Sequence, residues 1–537
     1  MASREEIRST GAVYTPDGVA SAIIELLKPM LPSGPLRTLE PSVGDGAFLS
    51  HMPPAALRGF SYTLVDIDQS VIDRLEERLG KSAASFVTTD FVQFAIEHKI
   101  KSRRAFDLIV GNPPFIRKHN FSEEFKDQLA DFAECFDYPA KDLKNAWAFF
   151  LVASIRLLSD KGLVAFVLPY ELMTVNYGQA LLKYAAGKLA RIDVFISDEK
   201  AFKNIDQDAV IFVGQKTASG DAGLFVNRVP SFTCLKSDSS SKIALGGDSD
   251  RALELSAFLL DPPTVAALRE MRAKASVISD YANSAPGVVS AANEYFILTD
   301  ADAASRGLAK HMVPILKKGS LAGPSPVFTS ADFKRLEKNG PCRLLVARGK
   351  RKSLDKDLLA YIRAGERKEI HKRYKCRNRR RWYEVPLVPV EQGFFFKRSH
   401  SFPRIILNQA GVHLTDTAYG LRLKQSCTMR GLCFSFYTSL TILFAEIGGR
   451  FYGGGVLELS PKEFRRLPIV YHEPSNEEWR AFLNAYAAAG GRVERILNFG
   501  DSWLKKEKAF TTDQLKMMRK AWVAVRAHRM RHGGRSS

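Results

Sequence analysis

The chain has 537 residues, 45% of them hydrophobic, and 78 lysines and arginines face 58 aspartates and glutamates, for a formal net charge of +20. That much apolar sequence serves about two to four domains, and so basic a balance suits a polyanion, most simply nucleic acid. The six cysteines form no CxxC pair or His/Cys cluster, no apolar run approaches membrane-spanning length, and the polar start Met1–Glu6 is no signal peptide, so the chain reads as a reduced cytoplasmic protein without a structural metal.

Strands and helices alternate from residue 11 to about residue 230. Thr15-Pro16 reads as an N-cap followed by proline at the first helical position, before a helix with apolar Val19, Ile23, Ile24 and Leu27. A short strand then ends at Leu39-Glu40 and enters Pro41-Ser42-Val43-Gly44-Asp45-Gly46. Gly44 and Gly46 permit a tight strand-to-helix turn, with backbone close to a ligand and N–H groups exposed at a helix start. The next strand, Tyr62–Asp66, ends in an acid that suits either ribose hydroxyls or a helix N-cap; for Asp68 the cap is the better reading. A third strand, Ser85–Thr88, runs into Asp90 and Phe91, which suit either an adenine ring or an N-cap followed by a core phenylalanine.

The fourth strand carries the most informative residues. Phe106–Gly111 reads as buried and is followed by Asn112-Pro113-Pro114-Phe115. Prolines cannot continue a sheet ladder, so the chain turns stiffly there. Asn112 then projects from the carboxyl end of a strand, where open α/β sheets bind ligands. Its side-chain oxygen and the Pro113 carbonyl are adjacent acceptors that match the two hydrogens of an exocyclic amino group, and Phe115 offers a face for a planar base.

Residues 116–144 read as a long polar connection, often a functional lid. Asn145–Leu151 opens an amphipathic helix that runs through Leu158. The strand Gly162–Pro169 is almost wholly apolar, as for one covered on both faces. A helix around Leu181-Leu182 and strands at Ile192–Phe195 and Ala209–Val213 complete this half.

Ser237–Asp250 is rich in Ser, Asp and Gly and reads as a linker. Beyond it, Arg348, Lys350, Arg351 and Lys352 precede His371–Lys375, and Arg377, Arg379, Arg380 and Arg381 run into Trp382 and Tyr383. Basic side chains interleaved with aromatics favour nucleic acid over a merely solvated charge run. A strand from Pro403 ends in Asn408 and Gln409, amides that either read adenine or close a turn. Gly453–Gly455 reads as a turn before a short strand. Lys516, Arg519, Lys520, Arg526, Arg529 and Arg531 suit DNA clamping or a frayed basic end.

In this order the pieces resemble the gamma-class, TaqI-like N6-adenine DNA methyltransferases. Tyr14-Thr15-Pro16 is similar to that class's motif X, Glu40–Gly46 to motif I and Asn112–Phe115 to motif IV, with the following helix and strand in step. The resemblance covers about the first 230 residues. It implies a class I S-adenosylmethionine-dependent methyltransferase fold, Rossmann-like with a mostly parallel sheet. Tyr14, Thr15, Glu40, Pro41, Ser42, Gly44 and Gly46 would hold the methionine end of the cofactor. Asp66 would take the ribose, and Asp90 and Phe91 the adenine. Asn112 and Pro113, backed by Pro114, would accept from the target amino group, and Phe115 and Phe202 would sandwich the base. Phe115 stands where many relatives have tyrosine; stacking survives that change.

The expected organisation is a catalytic domain over residues 1–234, a linker over 235–250 and a basic α+β target-recognition region over 251–537. Arg377, Arg379, Arg380, Arg381, Trp382, Asn408 and Gln409 are its candidate DNA contacts. The expected activity is site-specific adenine-N6 methylation of duplex DNA by a monomer, with S-adenosylmethionine as cofactor, no metal and no membrane. A restriction-modification setting with a separate endonuclease fits, and nothing suggests a fused nuclease. Cytosine N4, RNA adenine and protein glutamine are alternative acceptors, and a catalytically inactive specificity protein is the alternative from another class. The large basic half after the catalytic motifs favours DNA over protein glutamine, and intact Asn112, Pro113, Asp66 and glycine turn argue against the inactive protein.

Overall fold

The computed structural model describes residues 14–52, 60–101, 105–200, 208–237, 242–243, 259–424, 427–507 and 509–531. The chain forms two compact units. One comprises Met1–Val265, Arg450–Gly455 and Ala527–Ser537; the other comprises Ala266–Gly449 and Val456–Arg526.

The first unit is built on a nine-stranded sheet. Its strands are β1 (Arg37–Pro41), β2 (Ser61–Asp66), β3 (Ser85–Thr88), β4 (Phe106–Gly111), β5 (Leu158–Pro169), β6 (Arg191–Ser197), β7 (Ala209–Gln215), β8 (Gly223–Val229) and β9 (Lys242–Ile243). They lie in the order β3-β2-β1-β4-β5-β7-β6-β8-β9. β1 to β5 are mutually parallel, and β7 runs antiparallel to both β5 and β6. A mostly parallel sheet whose strand order reverses at β1 and whose reversed strand β7 lies between β5 and β6 is the class I S-adenosylmethionine-dependent methyltransferase fold; the short β9 at the far edge is also reversed. The reversal at β1/β4 leaves a crevice outside the strands' carboxyl ends, where such sheets take ligands.

Helices α1 (Asp17–Leu27), α2 (Gln69–Leu79), α3 (Phe91–Ile100) and α4 (Ala146–Leu157) follow the expected pattern. Val19, Ile23, Ile24 and Leu27 of α1 pack on Leu108 and Val110 of β4 and on Val167 of β5. Phe91 and Val92 of α3 and nearly all of α4 pack on the other side, with Phe106 and Ile109. Phe106 joins that side because the β4–β5 register shifts between Phe106 and Leu108. Both sheet faces are therefore covered, which explains the unbroken apolar run of β5.

Several expectations need correction. Pro16, not Thr15, is the N-cap of α1, and no side chain caps it. Among the described residues no regular helix follows Gly44–Gly46 before β2, and the 3-10 turn Leu49–His51 forms there. Residues 116–144 are not simply a polar connection: Phe121, Phe125, Phe132, Phe136 and Tyr138 are buried, and three of these rings meet Phe149 of α4 edge-on. The segment expected as a linker holds β9, paired antiparallel to β8.

The second unit is α+β. Strands Ala282–Pro286, Ala418–Leu423, Gly393–Phe396, Ile405–Asn408 and Val327–Phe328 form a five-stranded mixed sheet in that order. A four-stranded sheet and the helices Met429–Phe436, Ser439–Gly448, Asn476–Ala488 and Val493–Lys506 accompany it. No single helix among the described residues is long and apolar enough to cross a membrane.

Candidate active site

The turn after β1 is shaped by backbone conformation. Ser42, Gly44 and Gly46 have φ of 57°, 55° and 75°, left-handed values that glycine adopts without a Cβ penalty and serine seldom does. A Cβ on Gly46 would come within 2.8 Å of the Arg78 guanidinium. Arg78 also donates to the Asp45 carbonyl at 3.2 Å, holding the turn from α2. The Gly44 N–H donates to Asp66 Oδ2 at 3.0 Å, and the Asp68 N–H donates to Asp66 Oδ1 at 3.0 Å. One carboxylate at the end of β2 thus ties the β1 turn to its own loop. An ionised carboxylate has about four acceptor positions, so Asp66 keeps capacity for a ligand hydroxyl. Asp68 accepts from Ser70 and caps α2.

The Asn-Pro-Pro-Phe turn meets the start of the described chain. Asn112 Nδ2 donates to Thr15 Oγ1 at 3.2 Å, across 97 residues of sequence, and Thr15 is 7% exposed. Ser42 Oγ lies 3.4 Å from the Asn112 carbonyl. A planar amide held by its nitrogen is fixed in rotation, so its carbonyl oxygen takes one direction. Pro113 is buried, Pro114 half-buried, and half-buried Phe115 packs against the aromatic core around α4. Tyr14 is half exposed, and its ring lies against Gly44, where a Cβ would come within 3.6 Å of it. Tyr14, Gly44 and Asp45 line a cleft of about 520 Å³ with Val71, Arg74, Leu75, Glu77 and Arg78.

A buried acid, Glu40, and a half-buried one, Asp90, flank this edge. Burial, then Asp45, pushes the Glu40 carboxyl well above the usual range; Arg78 opposes the shift and Asp66 adds to it. Burial also raises Asp90, against hydrogen bonds from the Gln93 and Val92 N–H groups. Asp90 caps α3 through those bonds, and Phe91 is 3% exposed with its ring 4.6 Å from Phe150. Asp90 thus caps α3 through Oδ1, and the Phe91 ring lies in the core. Ile67 escapes the sequence reading. It follows Asp66 and is 72% exposed, an apolar side chain displayed at a ligand-binding strand end. The available signal is a large aliphatic just past a strand-terminal acid. Phe202 lies outside the described residues. No group of three or more His, Cys, Asp or Glu among the described residues suits a metal.

In the second unit the expected DNA contacts divide. Arg379 donates to the carbonyls of Val289 at 2.7 Å, Ser290 at 2.8 Å and Trp382 at 3.2 Å. Arg381 pairs with Glu384 at 2.7 Å. The Trp382 indole donates to Glu366 at 3.1 Å, and its ring packs on Tyr295 and Phe296. Asn408 donates to the carbonyls of Glu391 and Val412 and accepts from the Val412 N–H. Buried Asn408 is thus a turn-closing amide and not a base reader. Arg377, Arg380 and Gln409 are exposed, and so are Arg348, Lys350, Lys352 and Lys375. Exposed Tyr374 stands among them under Arg377. Arg519 and Arg526 are braces rather than clamps, bonded to Asp501 and Glu494 respectively.

Eco57I restriction-modification methylases match residues 60–202, and the C-terminal domain of the type II methyltransferase M.Eco57I matches residues 254–504. The type II methyltransferase M.AccI of Acinetobacter calcoaceticus is 23% identical over 496 residues, covering 86% of each chain. M.XamI of Xanthomonas campestris pv. amaranthicola is 24% identical over 472 residues, covering 86% of this chain and 85% of its own. Among solved structures, the type IIG restriction endonuclease BpuSI covers 98% of this chain and 67% of its own at 13% identity, with a TM-score of 0.40.

Proposed function

We propose that this chain, which belongs to the type II restriction-modification methyltransferases, methylates the N6 amino group of adenine at a specific site in duplex DNA. The junction of Thr15 with Asn112 carries the reading. It fixes an amide at the carboxyl end of β4, beside the glycine turn that Asp66 holds from β2.

The cofactor is S-adenosylmethionine, which supplies a sulfonium methyl already activated for transfer. Asp66 suits its ribose hydroxyls, exposed Ile67 a face of its adenine, and Tyr14, Thr15 and the Glu40–Gly46 turn its methionine end. The target amino group is a weak nucleophile because its lone pair is delocalised into the ring. Asn112 Oδ1 and the Pro113 carbonyl accept its two hydrogens, which favours a pyramidal nitrogen with a localised lone pair. Held this way, the nitrogen would be aligned with the methyl group that S-adenosylmethionine would supply, and the amino proton released on transfer would pass to solvent, since neither an amide oxygen nor a peptide carbonyl is basic enough to keep it. Positioning and electrostatic stabilisation account for the catalysis. A duplex hides N6 from such a pocket, so the base must flip out and stack on Phe115. Exposed Arg377 and Arg380 of the basic run, and exposed Gln409 after the strand from Ile405, are the DNA contacts that remain. A separate endonuclease acting at the same site fits this setting, and the methyltransferase works as a monomer.

The test offers unmethylated bacterial DNA, bacterial RNA and bacterial protein in parallel as acceptors of labelled methyl groups, with nucleoside chromatography of the labelled nucleic acid. Label in N6-methyladenine supports the reading. Label in N4-methylcytosine replaces the base, because the same acceptors suit that amino group. Label only in protein or RNA overturns it.

A further inference from the structure

We infer that Arg531 is a positioning residue for methyl transfer, holding the carboxyl end of β5 beside the Asn-Pro-Pro-Phe turn; the inference rests on the proposed reaction. Arg531 belongs to the first unit, although it lies more than three hundred residues beyond the strands it touches. Its side chain is 8% exposed. Nε donates to the Ser197 carbonyl at the end of β6, at 3.1 Å. Nη2 pairs with Asp208, the residue before β7. Nη1 donates to the His528 carbonyl at 2.7 Å. The guanidinium also lies 5.3 Å from the centre of the Tyr170 ring. A planar fork with donors in fixed directions suits this three-way junction, and a lysine cannot reproduce it.

Tyr170 is the hub. It follows Pro169, the last residue of β5, and is 5% exposed. Its hydroxyl meets His528 Nε2 at 3.0 Å, its N–H donates to the Asp208 carbonyl at 2.9 Å, and its ring stacks on Phe451 with centroids 6.0 Å apart. The next residue continues the chain of contacts. Glu171 accepts from the Tyr177 hydroxyl at 2.9 Å and faces Arg117 at 3.9 Å. Arg117 is two residues past Phe115 and pairs with Asn145 in an isolated bridge. An uninterrupted series of contacts therefore runs from Arg531 through Tyr170 and Glu171 to the segment that leaves the Asn112 turn. A buried guanidinium that only closed the fold would need no such route to the sheet's ligand-binding edge.

The test compares Arg531→Ala, Arg531→Lys and Asp208→Asn in the full chain. Transfer to unmethylated bacterial DNA is measured for kcat and KM, and the S-adenosylmethionine dissociation constant by calorimetry. Arg531→Ala is expected to lower kcat about 10- to 100-fold, the scale of a small misplacement at a reacting centre, with cofactor affinity unchanged. Arg531→Lys should recover part of the loss, since it keeps a charge beside Asp208. Wild-type kcat in a folded Arg531→Ala protein would overturn the inference. So would a parallel loss of cofactor affinity and kcat, which marks a general loss of fold. If Arg531→Ala does not fold, wild-type kcat in both milder variants overturns it, and reduced kcat with intact cofactor binding supports it. A wild-type chain that methylates no DNA takes down the proposed reaction and this inference together; active wild type with indifferent variants sinks this inference alone.

Discussion

The two units treat their sequence motifs differently. In the first, residues far apart in the chain are stitched together where the motifs end: Thr15 to Asn112, Gly44 to Asp66 and Arg78 to Asp45. In the second, one contiguous basic and aromatic run splits. Arg379, Arg381 and Trp382 turn to internal partners, while Arg377 and Arg380 face solvent. A turn at a strand end fixes where a side chain points before anything else is known. A charge run fixes nothing, because arginine stabilises a fold by capturing carbonyls as readily as it binds phosphate.

That contrast can be broken most sharply at Asn112. Asn112→Ala removes an acceptor at the reacting nitrogen and should cost about 100- to 1,000-fold in kcat or more, with the cofactor still bound; a steady-state assay with calorimetry decides. In the second unit, Arg379→Ala should act on stability. Its guanidinium holds three carbonyls, and removing hydrogen bonds to a charged group costs about 1.5–3 kcal/mol apiece, seen as a lower denaturation midpoint. Arg377→Ala and Arg380→Ala should leave that midpoint unchanged and weaken DNA binding. For every phosphate that a variant no longer neutralises, the plot of log affinity against log salt should flatten by about 0.9. If Arg379 moves the salt slope and Arg380 the stability, the division of the run is wrong.

The smallest effect should come from Glu40. Its carboxyl titrates above its unfolded value, because burial disfavours the charge. Between the two values the folded state holds a proton that the unfolded state has released, so stability falls as pH rises through that window. Glu40→Gln removes this dependence. Its Tm gain over wild type should grow as pH rises above the ordinary carboxylate range, while cofactor affinity falls. A pH-independent gain would show that Glu40 is already ionised in the fold.

Much of the catalytic sheet is legible in the sequence because its signals are local. Phe106–Gly111 and Gly162–Pro169 read as apolar runs; the first is a strand that stops at Gly111, just before Asn112-Pro113, and the second lies within a longer strand, Leu158–Pro169, that ends at its proline. The roles of Asp90 and Phe91 are not decidable there, since a capping acid before a core phenylalanine and a ligand-binding pair read alike in sequence. Residues 116–144 read as polar because their buried rings are spaced among charges and packed by a distant helix. β9 has two residues, too few for a periodic signal. Arg531 reads as part of a basic tail because nothing local shows that Ser197 and Asp208 await it.

The central claim is that the amide held by Thr15 accepts the amino group of a DNA adenine. The most direct measurement expresses the chain, and its Asn112→Ala variant, in a bacterial host without its own DNA methylases and maps N6-methyladenine across the genome by single-molecule sequencing. One sequence motif modified throughout, and unmodified in the variant, is the expected result. A genome free of N6-methyladenine despite folded, cofactor-binding protein, or one still modified by Asn112→Ala, would contradict the account.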